Sequence, residues 1–189
     1  QFAFTHDQTV PTLTIAMSTN GNTGYAKTGN TITLTITASE SVTGLACTID
    51  GEAATMGGSG TSWTAALEIS GDETAGVATF SCGSHSDAAG NAGATDTTAD
   101  SGAVTIDYTA PTLTIAMSTS GNTGYAKSGD TITLTITASE AVTGLTCTID
   151  GESATMGGSG TSWTAALTIS GDETAGAATF SCSGYEDAA

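Results

Sequence analysis

An all-β chain made of two similar sandwich domains in tandem is predicted by three observations. Apolar and polar residues alternate with a period of two, most clearly in TITLTITASE at 31–40. Turn signals rich in Gly, Asp and Asn separate such segments roughly every 8–12 residues. The whole pattern is also written twice: Pro11 matches Pro111, Cys47 matches Cys147, Trp63 matches Trp163 and Cys82 matches Cys182. From Pro11 to Ala89 only about a dozen paired positions differ, and they cluster at Gly83–Ser86. A period this long is a whole domain rather than a solenoid turn.

Within one repeat the elements read off in order. Leu13, Ile15 and Met17 alternate in a first strand that starts after Pro11, a position where proline costs no ladder hydrogen bond. A polar loop, STNGNTGYAKTGN, leads into the central strand, where Ile32, Leu34, Ile36 and Ala38 share one face and the threonines the other. After a turn at Val42–Gly44, LACTID puts Leu45, Cys47 and Ile49 on one face. The segment DGEAATMGGSG reads as a Gly-rich hairpin region. TSWTAALEIS follows, with Trp63, Ala65, Leu67 and Ile69 in register, and then VATFSC, with Ala78, Phe80 and Cys82 inward. A loop, DAAGNAGATDTTADSG, precedes a last strand carrying Val104 and Ile106. About seven short strands of this kind indicate a Greek-key sandwich of immunoglobulin type. The expected organisation is domain 1 at 10–109 and domain 2 at 110–189, with 1–9 in the phase of a preceding repeat's last strand.

Composition narrows the function. Among 189 residues, Lys and Arg total 2 against 19 Asp and Glu, for a formal net charge of -17. Nucleic acid and anionic lipid both need basic patches, so neither is an expected partner. No apolar run is long enough for a spanning helix, so membrane insertion is not expected. The four cysteines fall at matching positions of the repeats, which favours one disulfide per repeat, Cys47 with Cys82 and Cys147 with Cys182, and an oxidising, extracellular location. Both cysteines of a repeat lie on inward parity, so a bridge across the core or between neighbouring strands is sterically reasonable. Intermolecular pairing is the alternative.

The segments AKTGNTITLTITASE, TIDGEAAT, TSWTAALEIS, DETAGVATFSC and DAAGNAG, in this order, resemble the tandem Ig-like domains of giant bacterial and algal surface proteins. The resemblance covers both repeats almost end to end. It implies an adhesin stalk, fibre subunit or spacer array, and a calcium ion at domain junctions. Asp7 in DQTVP and Asp107 in DYTAP occupy the position similar to a junction ligand, with Asp87, Asp96 and Asp100 as co-ligands; a solvated acidic surface is the competing reading.

Other acids, Asp50, Glu52, Asp72 and Glu73 and their copies, fall in turns and read as backbone caps. Paired carboxylates for glycoside chemistry would need a cleft that the sequence does not suggest, so no enzyme is expected. His6 and His85 have no histidine at their repeat equivalents and read as incidental; Trp63 and Trp163 read as core. Lys27 and Lys127 sit in a polar loop that does not favour an isopeptide bond.

The second repeat reaches Ala189 before any counterpart of Val104–Ile106, while Phe2 and Phe4 fall in the phase of Gly102 and Val104. Two explanations fit: a window on a longer array, or a subunit whose first strand completes a neighbour's second domain. The function expected from the residues is therefore a structural filament, stalk or shaft whose partners are copies of itself. The alternative is a surface module that binds glycans or a protein receptor through Gly83–Ser86 and Ser183–Glu186.

Overall fold

The computed structural model describes residues 6–173 and 175–189; Phe2 and Phe4 lie outside the described residues. The described chain is all β and divides into two compact units, one ending at Tyr108 and the next running from Thr109 to Ala188.

In the first unit the strands are β1 (Leu13–Thr19), β2 (Tyr25–Ala26), β3 (Thr31–Val42), β4 (Ala46–Ile49), β5 (Glu52–Ala53), β6 (Thr55–Glu68), β7 (Gly76–Val77), β8 (Phe80–Gly83) and β9 (Thr105–Ile106). Strand β3 lies between β1 and β6 in an antiparallel sheet, with Ile36 opposite both Ile15 and Trp63. A second antiparallel sheet runs β5-β4-β8, and a ribbon of order β2-β9-β7 closes the side. Ile32, Leu34 and Ile36 from β3 are buried in a single cluster with Leu45, just before β4, and with Cys47 and Ile49 of β4. Each such aliphatic side chain removed from water contributes about 1.5–3 kcal/mol, which is what binds the two sheets into a sandwich.

Cys47 and Cys82 are directly opposite each other in the β4–β8 ladder and form a disulfide, with Cα atoms 4.1 Å apart. Their backbone hydrogen bonds point away from each other: the Cys47 carbonyl accepts from Ala54 N, and Cys82 exchanges N–H and C=O with Asp96. This is the close, non-hydrogen-bonded kind of antiparallel pair, the kind whose Cβ atoms come within bridging reach. The bridge therefore joins neighbours in one sheet rather than spanning the core. Cys147 and Cys182 do the same in the second unit.

Three details depart from the pattern read in the sequence. The Gly-rich stretch is largely strand: the chain turns at Asp50 (φ 50°) and Gly51 (φ 87°), the two-residue Asp-Gly turn that matches strand twist, and pairing resumes at Glu52. Strand β6 then bends at Gly58 (φ 89°), where a Cβ would collide with the Ser62 carbonyl. The expected strand over Val77–Cys82 is split, because Ala78 N donates to Val104 O in the ribbon before Phe80 joins β4 opposite Ile49. Trp63 is half-buried rather than central; its ring packs against the core while Nε1 donates to Gly60 O at 3.0 Å.

The second unit repeats the scheme in β10 (Leu113–Thr119), β11 (Thr131–Val142), β12 (Thr146–Ile149), β13 (Glu152–Ser153), β14 (Thr155–Thr168) and β15 (Phe180–Ser183). Its registers match those of the first, with Leu113 opposite Ala138 as Leu13 is opposite Ala38. Among the described residues no strand corresponds to β2, β7 or β9.

Each disulfide closes a loop of sequence separation 35. Replacing Cys47 and Cys82 together by Ala is expected to remove about 3–4 kcal/mol from the first unit, read as a lowered urea midpoint with an intact fold by circular dichroism.

Candidate functional site

The first unit gathers three carboxylates that lie far apart in sequence. Asp7 precedes β1, Glu40 stands near the end of β3, and Asp87 begins the loop after β8; one oxygen from each lies within 4.8 Å of the others. The loop geometry that holds Asp87 is local. Its Oδ1 accepts from Ala89 N at 2.9 Å and Asn91 N at 2.8 Å, and Oδ2 accepts from the Asn91 side-chain amide at 2.8 Å. The same Asn91 amide reaches the Asp7 carbonyl at 3.2 Å, tying the segment before β1 to this loop. Asp7 in turn caps Thr9 N at 2.9 Å.

The three acids are not equivalent. The Asn91 side chain and the loop amides hold the Asp87 carboxyl below the usual range, against the opposing effect of burial. Glu40 is pushed up, first by desolvation and then by the Asp7 and Asp87 charges. Its Oε1 is buried with no hydrogen-bond partner. Glu40 is thus where the repulsion of the cluster falls. An all-oxygen trio of this kind is a partial coordination sphere for a hard divalent cation, with backbone carbonyls or water completing the six to eight ligands calcium takes.

Of the residues singled out in the sequence, Asp7 and Asp87 come together here. Asp96 and Asp100 do not join them. Asp96 caps Thr98 N at 3.0 Å, and Asp100 accepts from Ile15 N at 2.7 Å, fastening its loop along β1. Asp107 lies just past β9, its N–H donating to Ala26 O at 2.9 Å. Glu40 was not foreseen, although its position carries a signal: it has the inward parity of Ile36 and Ala38, an unusual place for an acid. The sequence repeats all three acids as Asp107, Glu140 and Asp187.

Neither the protein-family models nor the curated proteins compared with the chain match it.

The turn acids behave as caps. Glu73 accepts from Ser70 N at 3.0 Å, Gly71 N at 2.9 Å and the Tyr108 hydroxyl at 2.9 Å. Burial alone would raise its pKa, but the amides of Ser70, Gly71 and Glu73 itself, with Tyr108, outweigh that and hold it at about 2. Burial and the same contact push the Tyr108 hydroxyl up to about 12. Glu173 repeats the cap on Ser170 and Gly171 and is likewise lowered to about 2. Asp50 accepts from Thr74 N at 2.6 Å. His85 is buried with neither ring nitrogen hydrogen-bonded, its ring lying against Gly93 where a Cβ would collide.

Two measurements follow from these charges. Glu40→Gln removes a carboxylate whose charged form is disfavoured, so the first unit should melt higher in chelator at neutral pH. Millimolar calcium chloride should raise the melting temperature of the natural sequence more than that of the variant. For Glu73 and Glu173 the folded pKa lies below the ordinary 4.5, so their stabilisation is complete above about 4.5 and is lost as pH falls through about 2. Chemical unfolding across that window should show a steep loss of stability, shallower in Glu73→Gln and Glu173→Gln.

Proposed function

We propose that the chain belongs to an extracellular structural protein in which this sandwich recurs in series as a filament, stalk or adhesin shaft. The observation that carries the reading is the duplication of one clasped unit: the two copies share their strand registers and the cross-strand disulfide. A spacer lengthens simply by copying its whole scaffold, strand registers included. The disulfides suit an oxidising environment, and the charge of -17 keeps such units apart from one another and from anionic surfaces. The resemblance to tandem Ig-like domains of giant surface proteins points the same way.

The variable loop gives the competing reading, a glycan- or receptor-binding module, little to work with in the first unit. His85, its one large side chain, is turned into the interior, and of Gly83–Ser86 only Ser84 is exposed. The acidic trio fits a structural role, since a cation bridging Asp7 to Glu40 and Asp87 would stiffen the entry to the unit.

Immunogold labelling of source cells with antibody against this chain is expected to decorate extracellular fibrous material. Label confined to the cell interior would overturn the reading.

A further inference from the structure

In the first unit two stretches far apart in sequence, 15–26 and 100–107, run side by side in the same direction. Asp100 N donates to Ile15 O at 2.8 Å and Met17 N to Ser101 O at 3.0 Å, on either side of the parallel bridge between Ala16 and Ser101. Further along, Thr105 N donates to Gly24 O at 2.8 Å and Asp107 N to Ala26 O at 2.9 Å, where β2 and β9 pair in parallel. A fifth bond comes from a side chain: Asp100 Oδ2 accepts from Ile15 N at 2.7 Å. The carboxylate stands where a carbonyl of a longer ladder would, and a charged acceptor makes the stronger bond. Gly102 (φ 76°) permits this approach, since a Cβ there would strike the Met17 carbonyl.

The parallel direction decides how these bonds meet a pull. In a unit held in series, tension enters ahead of β1 and leaves after β9. It therefore draws 15–26 and 100–107 in opposite directions along their common axis. All five bonds are strained together, and none can open without the rest. An antiparallel pair pulled from one end instead opens a rung at a time. Lifetime under force follows the unfolding rate and not the equilibrium stability, so the two arrangements differ mechanically even where their bonds are alike. The tie is braced on its inner side, where Val104 and Ile106 are each 1% exposed and Ala78 N donates to Val104 O. Just past it the Tyr108 hydroxyl fastens the exit to Glu73.

We propose that the first unit resists tension through this parallel tie, with Asp100 as its positioning residue, and that the Cys47–Cys82 bridge limits how far the unit lengthens once the tie opens. The bridge lies off the tie, joining β4 to β8. The stretch it closes, of sequence separation 35, stays out of the stretched path, which withholds about 120 Å of extended chain. The inference rests on the shaft reading and adds to it a resistance to pulling and a stop on extension.

Constant-force spectroscopy on the full chain tests it. Handles at exposed Val10 and Ala110 load the tie, whereas handles at exposed Thr28 and Asp72 part β3 from β6 a rung at a time. For the natural sequence, the lifetime at a given force is expected to be several-fold longer in the first direction. Asp100→Ala should shorten that lifetime about tenfold, through loss of one bond to a charged acceptor, and leave the second direction unchanged. Gly102→Ala should act in the same sense. In a thiol reductant, unfolding should be followed by a further step of about 120 Å as the bridge is reduced, and without reductant that step should be missing. Equal lifetimes in the two directions for the natural sequence would overturn the tie, as would an Asp100→Ala effect of equal size in both. Full extension without reductant would overturn the stop. The labelling of extracellular fibres is read independently, so failure of the tie and failure of the shaft reading are told apart.

Discussion

Ile32, Leu34 and Ile36 on one sheet share a buried cluster with Cys47 and Ile49 on the other and with Leu45 at its entry, and the rest of the first unit is built around that contact. The core contains few large side chains, so it has little surplus with which to offset the conformational entropy of ordering long Gly- and Ser-rich connections. The cross-strand disulfide addresses this from the unfolded side, by restricting the chain before it folds. The Asp100 contact to β1 addresses it from the folded side, by pinning the long loop after β8 along a sheet edge that would otherwise be open.

A chain with 19 acids and 2 bases cannot balance its charges by ion pairing. Its carboxylates instead find backbone amides: Asp7, Asp50, Glu73, Asp87, Asp96 and Asp100 each accept at least one N–H. Such bonds favour the charged form and satisfy turn amides that have no strand partner, so acidity and turn geometry reinforce each other. Glu40 departs from this arrangement. It projects from strand β3 rather than from a turn, and it lies against two other acids. The strain in the first unit's electrostatics is concentrated there, beside the segment that enters the unit.

The comparison of the two copies separates what a sequence encodes from what a neighbour strand completes. Phe80 and Phe180 stand in identical local sequence, TFSC, yet one is core and the other is nearly half exposed. No propensity or pattern distinguishes them. Burial at that position belongs to the ribbon formed by β2, β7 and β9, whose three strands are separated by long stretches of chain.

Alternation alone located the first, central and Cys-bearing strands, because a half-buried strand needs a side chain on each face in turn and leaves that period in the residues. The repeat fixed the pairing of Cys47 with Cys82 as the economical reading. The inward parity of Glu40 was legible too, had an acid at that place been given weight. What only the folded chain decided was contact between segments distant in sequence: that the cysteines are ladder neighbours, that Tyr25–Ala26 in a polar loop becomes a strand beside Thr105–Ile106, and that Asp7 meets Glu40 and Asp87 while Asp96 and Asp100 go elsewhere. Periodicity is a local property of the backbone, whereas the meeting of carboxylates depends on how loops close across the sandwich, which no local pattern records.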